Sequence, residues 1–290
     1  MKQIIIKVFS LLFQSISTVL CKLHIIRPKI IIYMDGGICS QMLMYLHGRY
    51  YAEQGMNVYY DIHWFDVCGK DQFGKMPRTF ELLEMWPGLE FRTVSRLQRK
   101  FYLIFFRAKK HNADWLPEPA SVNHSLYLYE YWDLPWSDRF RLFAKFFNVK
   151  NAAIPKQKVT SATENRVGVH VRRGDLAKGD NPAYGGVSEQ YFNHAIEFCN
   201  SHFSPNEFVF FSDEPDWVEQ NIGRNMTCPY KVMRGNKAWE DVWYLAQYPI
   251  IIASQGTAGK FAALMNPDSI LIQCDTEFAV RNRDNSYFIS

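Results

Sequence analysis

No C-x-x-C pair occurs in this chain, and its six cysteines, at 21, 39, 68, 199, 228 and 274, form with the histidines no full ligand set at spacing suited to zinc. Nothing therefore points to a metal site or a disulfide framework, and the thiols read as small buried or half-buried residues suited to a reducing cytoplasm. Net charge is equally sparse: 33 Lys+Arg against 29 Asp+Glu give +4. A nucleic-acid partner is not expected, because its electrostatic footprint needs basic residues massed on one face. Internal repeats and low-complexity tracts are also missing. Core-forming residues are abundant, since 290 residues at 48% hydrophobic and 16% aromatic content can bury a full core. At roughly 100–200 residues per domain, two domains are the default.

The first segment, MKQIIIKVFSLLFQSISTVLCKL, is apolar but interrupted: Gln3, Lys7, Ser10, Gln14, Ser17 and Cys21 recur at spacings of four and three. On a helix they form one narrow stripe, with Ile5, Val8, Phe9, Leu12, Ile16, Val19 and Leu23 spread over the broad opposite face. That pattern suits a helix lying in a membrane interface, docked on a partner or buried against the protein. The longest lysine-free run, Val8 to Cys21, contains Gln14 and several serines, which argues against a span. No small-residue cleavage site marks a signal peptide. The expectation is an amphipathic helix over 1–28 that contacts a membrane surface through residues 1–24, in a cytoplasmic protein held on the inner face.

Past Pro28 strands and helices alternate, the pattern of an α/β protein with parallel sheets. Ile30 to Met34 reads as a buried strand, MLMYLHGRYYAEQG as a helix closed by Gly55, and VYYDIHWF as the next strand. Helical signals follow around 79–86, 91–107 and 136–147. The polar, unpatterned stretch Asn151–Asn165 is the best linker. Beyond it, strands over 167–171, 207–212, 230–233, 250–253 and 270–273 alternate with helices over 188–200, 215–221, 238–247 and 257–264. The domains expected are 29–155 and 156–290, two open α/β units with a ligand cleft between their strand ends.

The segment VHVRRGD closes the first strand of the second unit. Side chains alternate along a strand, so His170 and Arg172 share one face while Val169, Val171 and Arg173 take the other. Arginine is the residue for bidentate phosphate binding, so this strand end suits a multiply charged anion. The competing reading is a structural ion pair, stronger for Arg173, with Asp175 or Asp180. Ser212, Asp213 and Glu214 follow a second strand and offer groups for base or ribose contacts, although Asp213 also reads as a helix cap. Glu240 and Asp241 sit in the first turn of a helix, where the dipole favours acids regardless of function. In IIIASQGTAGKF a small-residue loop precedes a helix start, an arrangement that presents backbone N–H groups to phosphate. Its spacing misses the P-loop at Ser254 and Phe261, so the expectation is anion binding by Ser254, Gln255, Gly256, Thr257 and Ala258 without NTP hydrolysis.

VGVHVRRGDL, GGVSEQYFNHAIEF, FVFFSDEPDWVEQNI and EDVWYLAQYPIIIAS, in that order and spacing, resemble the alpha-1,2-fucosyltransferases of glycosyltransferase family 11. DGGICSQMLMYLHGRYYA is similar to that family's glycine loop and helix, and LYLYEYWDLPWSDRF to its aromatic segment. The resemblance covers about residues 29–275 and implies a GT-B-like fold of two Rossmann-like domains facing a central cleft. It also implies inverting transfer of fucose from GDP-fucose to a galactose-like hydroxyl of a surface-polysaccharide or other glycan precursor. On that reading His170, Arg172 and Arg173 hold the donor's phosphates. Ser212, Asp213, Glu240, Asp241 and the 254–257 loop complete the donor site, and Asp35, Gly36, Gly37, Ser40 and Gln41 line the acceptor side. Charge developing on the β-phosphate is met by a preorganised arginine. No D-x-D motif occurs, and neither cofactor nor metal is expected. The base that accepts the acceptor's proton is a carboxylate, Asp180 first, with Asp175 and Asp35 as alternatives.

Three departures keep other readings open. Cys39 and Ser40 replace the Gly and Asn of the family's G-G-x-G-N-Q loop, SQGTAGKF replaces a tryptophan-bearing string, and the amphipathic first segment is extra. A different nucleotide-sugar donor or linkage, or a non-catalytic nucleotide-sugar or glycan-binding protein, remains in play.

Overall fold

The computed structural model describes every residue except 1, 71–76, 109–114, 130–132, 156–164, 175–187, 275–278, 282 and 290. The chain packs as two compact units, Met1–Leu83 with Gly88–Phe146, and Glu84–Pro87 with Phe147–Ser290. The long segment of the second unit thus begins at Phe147, where the sequence suggested 155/156, and Glu84–Pro87 joins it from upstream. Trp86 and Phe147 rings pack at 4.6 Å, and the Ala153 N–H donates to the Met85 carbonyl at 2.7 Å. Both contacts tie 147–155 to the 84–87 segment.

The first unit contains α1 (Lys2–Lys22), β1 (Lys29–Tyr33), α2 (Ile38–Ala52), β2 (Asn57–Asp61) and α3 (His63–Val67). The short α4 (Leu82–Met85) spans the division at Leu83/Glu84, and the first unit resumes with α5 (Arg96–Phe105), β3 (Leu126–Leu128) and α6 (Trp136–Phe146). Its sheet runs β2-β1-β3, all parallel, with Ile31 level with Tyr59 and Tyr127. The isoleucine run of β1 is buried on both faces, as a central parallel strand requires. Contrary to the expected strand over VYYDIHWF, β2 stops at Asp61. There the Asp61 carboxylate accepts the His63 N–H at 3.0 Å and turns the chain into α3. By length and composition Gln3–Lys22 is apolar enough to cross a membrane, which the argument from its lysine-free run had disfavoured.

The second unit contains β4 (Arg166–Val171), α7 (Glu189–Phe203), β5 (Glu207–Ser212), α8 (Pro215–Asn221) and β6 (Tyr230–Val232). It continues through α9 (Ala238–Leu245), β7 (Ile250–Ala253), α10 (Thr257–Met265), β8 (Ile270–Gln273) and β9 (Ser286–Phe288). Six parallel strands lie in the order β6-β5-β4-β7-β8-β9. The chain walks outward from β4 in one direction, returns, and walks outward from β7 in the other. Strand order therefore reverses between β4 and β7, the switch point at which open α/β sheets place their ligands. Val167, Val169 and Val171 of β4 pack with Phe192 and Ile196 of α7 in the core. The mixed α/β class with parallel sheets and a leading helix is the one expected.

Candidate active site

The carboxyl ends of β4 and β7 meet through Ser254. Its N–H donates to the His170 carbonyl at 3.1 Å, its Oγ accepts the Arg172 N–H at 3.1 Å, and the same oxygen lies 3.2 Å from His170 Nδ1. Ser254 is fully buried, so these bonds fix the two strand ends together out of reach of water. His170 is itself only 9% exposed, and burial, with Arg172 and Lys260 nearby, lowers its pKa to about 3. The imidazole is thus neutral at physiological pH. Arg172 and Arg173 are therefore the charged side chains of this strand end, with His170 an uncharged neighbour.

His170 and Arg172 do share a face. A Cβ added to Gly256 would stand 3.3 Å from Arg172 Cβ and 3.7 Å from His170 Cε1. Arg172 Nη1 donates to Asp213 Oδ2, and the other Asp213 oxygen accepts the Arg173 N–H at 3.0 Å. Asp213 also closes the turn at Gly174 (φ +25°), where a side chain would lie 2.6 Å from its carboxylate. One carboxylate therefore orients Arg172 and anchors the loop leaving β4. It is not the helix cap considered from the sequence: Glu214 occupies the N-cap of α8, without a capping side chain. Ser212 Oγ donates to the Val171 carbonyl and accepts the Glu214 N–H, so its hydroxyl braces β5 against β4.

Arg173 points elsewhere. Its Nε donates to Glu214 at 3.2 Å and its guanidinium lies 3.7 Å above the Trp217 ring, a charge-assisted bond combined with a cation–π contact. Asp175 and Asp180, named as bases, lie outside the described residues. Glu240 accepts the Lys237 N–H at 2.7 Å, and Asp241 accepts from Asn236 Nδ2 at 2.8 Å. Both acids thus make bonds that organise the start of α9.

The 254–257 loop leads into α10 with Gly256 at its N-cap. The N-terminal N–H groups of this nine-residue helix emerge beside Arg172, so guanidinium and helix dipole combine on one spot. The close approach has a sequence cause. A Cβ on Gly259 would lie 2.8 Å from Ala253 Cβ and 3.0 Å from His170 Cβ, so only glycine lets α10 pack this near β4 and β7. Lys260, on the next turn position, is 1% exposed and donates from Nζ to the Gln255 carbonyl at 3.1 Å. Its burial lowers the ammonium pKa to about 8. Sequence reasoning registered Lys260 only as a departure from the family string; the signal missed was a lone lysine inside an otherwise apolar helix, KFAALM.

In the first unit the residues expected on the acceptor side divide by role. Gln41 is fully buried and makes four bonds: Nε2 to the Gly36 and Thr79 carbonyls, Oε1 from the Glu81 and Leu82 N–H groups. It binds segment 79–82 to the glycine loop and has no capacity left for a ligand. Gly36 and Gly37 lead into α2, with Gly37 as its N-cap, and Ser40 sits half-buried in its first turn. Asp35, past the end of β1, is half-buried and its carboxyl pKa is raised by that burial. Asp61, which sequence reasoning missed, is a buried hub at the end of β2. It accepts from the Tyr127 hydroxyl, from Arg99 Nε at 2.8 Å and from the His63 N–H.

Three solved structures are similar in outline. They are POFUT1 with GDP-fucose (11% identity, TM-score 0.39, covering 91% of this chain and 98% of that one) and POFUT1 with GDP (11%, 0.41, 90% and 98%). The third is E. coli heptosyltransferase WaaC with ADP-2-deoxy-2-fluoro heptose (12%, 0.45, 90% and 92%). No curated protein matches the chain. The model of glycosyl transferase family 11 matches residues 106–288, nearly two-thirds of the sequence and the whole of the switch-point assembly. The chain belongs to glycosyl transferase family 11.

Proposed function

We propose that this protein is an inverting fucosyltransferase that moves fucose from GDP-fucose to a hydroxyl of a galactose-like sugar, in alpha-1,2 linkage, on a surface-polysaccharide or other glycan precursor. The observation that carries this reading is the convergence of Arg172 and the α10 N-terminus at the β4/β7 switch point of a family 11 chain. As the glycosidic bond breaks, negative charge grows on the β-phosphate of GDP. A guanidinium already oriented by Asp213 and a helix N-terminus already in place meet that charge without reorganising. Gln255, Gly256 and Thr257 contribute backbone donors, Ser254 holds the loop to β4 through its bond to the His170 carbonyl, His170 supports the loop as a neutral partner, and no metal or other cofactor is invoked. Inversion requires a carboxylate on the opposite face to take the acceptor's proton; Asp180, Asp175 and Asp35 are the candidates. The six free thiols suit a cytoplasmic site.

A second reading, another nucleotide-sugar donor on the same scaffold, is favoured by the changed 254–261 string with its buried Lys260. Release of GDP on mixing the protein with GDP-fucose and a panel of galactosides tests both. Turnover with a galactoside supports the first, and turnover only with a different nucleotide sugar supports the second. Tight GDP binding with no turnover on any donor would leave a binding protein.

A further inference from the structure

Helix α1 is packed inside out. The middle of its polar stripe, Ser10 to Ser17, faces the protein: Gln14 Nε2 donates to the Phe105 carbonyl at 2.7 Å, Ser10 Oγ to the Ile104 carbonyl at 3.4 Å, and Ser17 Oγ accepts the Ser125 N–H at 3.3 Å. The Phe13 ring seats against Phe101 and Phe105, with centroids 5.4 and 4.9 Å away. The apolar face is the one turned outward. Ile4, Val8, Leu11, Leu12, Ile16 and Val19 are between 47% and 69% exposed. A helix resting on a water-facing surface has the reverse polarity, because apolar side chains of this size gain by being taken out of water. The stripe continues onto α5 through Leu97, Phe101 and Ile104, which recur at spacings of four and three and are all exposed. Single exposed apolar residues are ordinary; a continuous band across two helices marks an interaction surface.

Charge identifies what covers it. Lys2, Lys7, Lys22, Arg27 and Lys29 all precede Asp35, the first acidic residue in the chain. Lys22, His24 and Arg27 line a cavity of about 500 Å³ at the end of α1, and Lys7 and Lys100 are exposed beside the band. An apolar band rimmed by cations matches an anionic lipid surface. A second copy meeting the same face would bring like charges together. We propose that α1 and the adjoining face of α5 lie in the plane of an anionic bilayer, seating the first unit on its headgroups. The helix lies flat because threading it through the bilayer would break its three bonds to the protein and leave Gln14 and Ser17 in hydrocarbon. This assignment does not depend on the transfer reaction.

The test is co-sedimentation of the full chain with phosphatidylcholine vesicles, with and without phosphatidylglycerol. Binding is expected to be at least about tenfold tighter to the anionic vesicles, with the difference collapsing at about 1 M salt. Leu12→Glu with Ile16→Glu, both at exposed positions, should abolish binding with an unchanged circular dichroism spectrum. Lys7→Gln and Lys22→Gln should each weaken binding about fivefold. Tryptophan placed singly at Ile4, Leu12 and Val19 should be quenched by brominated lipids at one common shallow depth, read against the parent chain. A deeper Leu12→Trp flanked by shallow ends would mean a spanning helix and overturn the in-plane assignment. Wild-type protein left in the supernatant with both vesicles would overturn the proposal, as would a dimer in light scattering that the double Glu variant dissolves.

Discussion

Arg172 and Asp213 form an ion pair across the carboxyl ends of β4 and β5, with side chains 17% and 8% exposed. Their geometry sets up the first prediction. Arg172→Ala removes the cation proposed to face the leaving phosphate and should lower turnover by on the order of 10²-fold or more. Asp213→Asn keeps the shape and can still accept the Arg173 N–H, but gives up the charge that aims Arg172. Its loss of turnover should be smaller, about tenfold, accompanied by about 1–3 kcal/mol of stability. Steady-state kinetics with urea titrations on both variants decide the matter. Near wild-type turnover in Arg172→Ala would remove Arg172 from the reaction.

Acid should unfold this protein early, through two buried histidines. His170 and His47 both have pKa values lowered to about 3, chiefly by burial, against an ordinary value of 6.5. Between those pH values the unfolded chain binds more protons than the folded one, so stability is full above about pH 6.5 and falls as pH drops toward 3. At pH 5 each histidine should cost about 2 kcal/mol. Urea midpoints measured from pH 7 to pH 5 should fall steadily, and His170→Gln should remove about half of that fall. A flat profile in the wild type would show that neither imidazole stays neutral and buried.

Much of this fold was legible because it rests on strong local patterns. Glu207–Ser212, Pro215–Asn221, Ile250–Ala253 and Ile270–Gln273 were bounded from sequence as they stand in the structure, since an apolar run between turn residues leaves few alternatives. Leu126–Leu128 and Ser286–Phe288 carry no such pattern, and these short strands exist because a neighbouring strand accepts them, a tertiary fact. The site shows the same division. Strand parity placed His170 and Arg172 on one face, but whether His170 carries charge depends on burial by α10, and Gln41 belongs to the protein rather than a ligand because of residues 40 positions away. The polar stripe of α1 was also readable, although which side it turned to the protein was not.

Gly259→Ala tests the contact that brings α10 onto the switch point. The added methyl would overlap Ala253 Cβ at 2.8 Å and His170 Cβ at 3.0 Å, neither of which is the end of a flexible side chain. Overpacking of this kind costs about 1–3 kcal/mol, and lifting the helix should also weaken GDP binding. Ala253→Gly vacates the nearer overlap, so the double variant should recover part of both losses, a positive coupling readable in a double-mutant cycle. Strictly additive effects would place the strain elsewhere.

Lys260 links protonation to the donor. Its pKa of about 8 lies below the ordinary 10.5 because the ammonium is buried, so between these values the unfolded chain holds more protons and stability rises with pH. From pH 8 to 9.5 the wild type should therefore gain about 1–2 kcal/mol relative to Lys260→Met, a difference from which the ionisation of the buried thiols, common to both chains, cancels. The nucleotide acts in the opposite direction. A diphosphate bound at the 254–257 loop favours the charged ammonium and raises its pKa, so GDP affinity should be highest below pH 8 and decline as pH climbs through it. Calorimetry near pH 8 in buffers of different ionisation enthalpy should therefore register proton uptake with GDP, and none with Lys260→Met. Equal heats in all buffers for the wild type would separate Lys260 from the phosphate site while leaving its effect on stability intact.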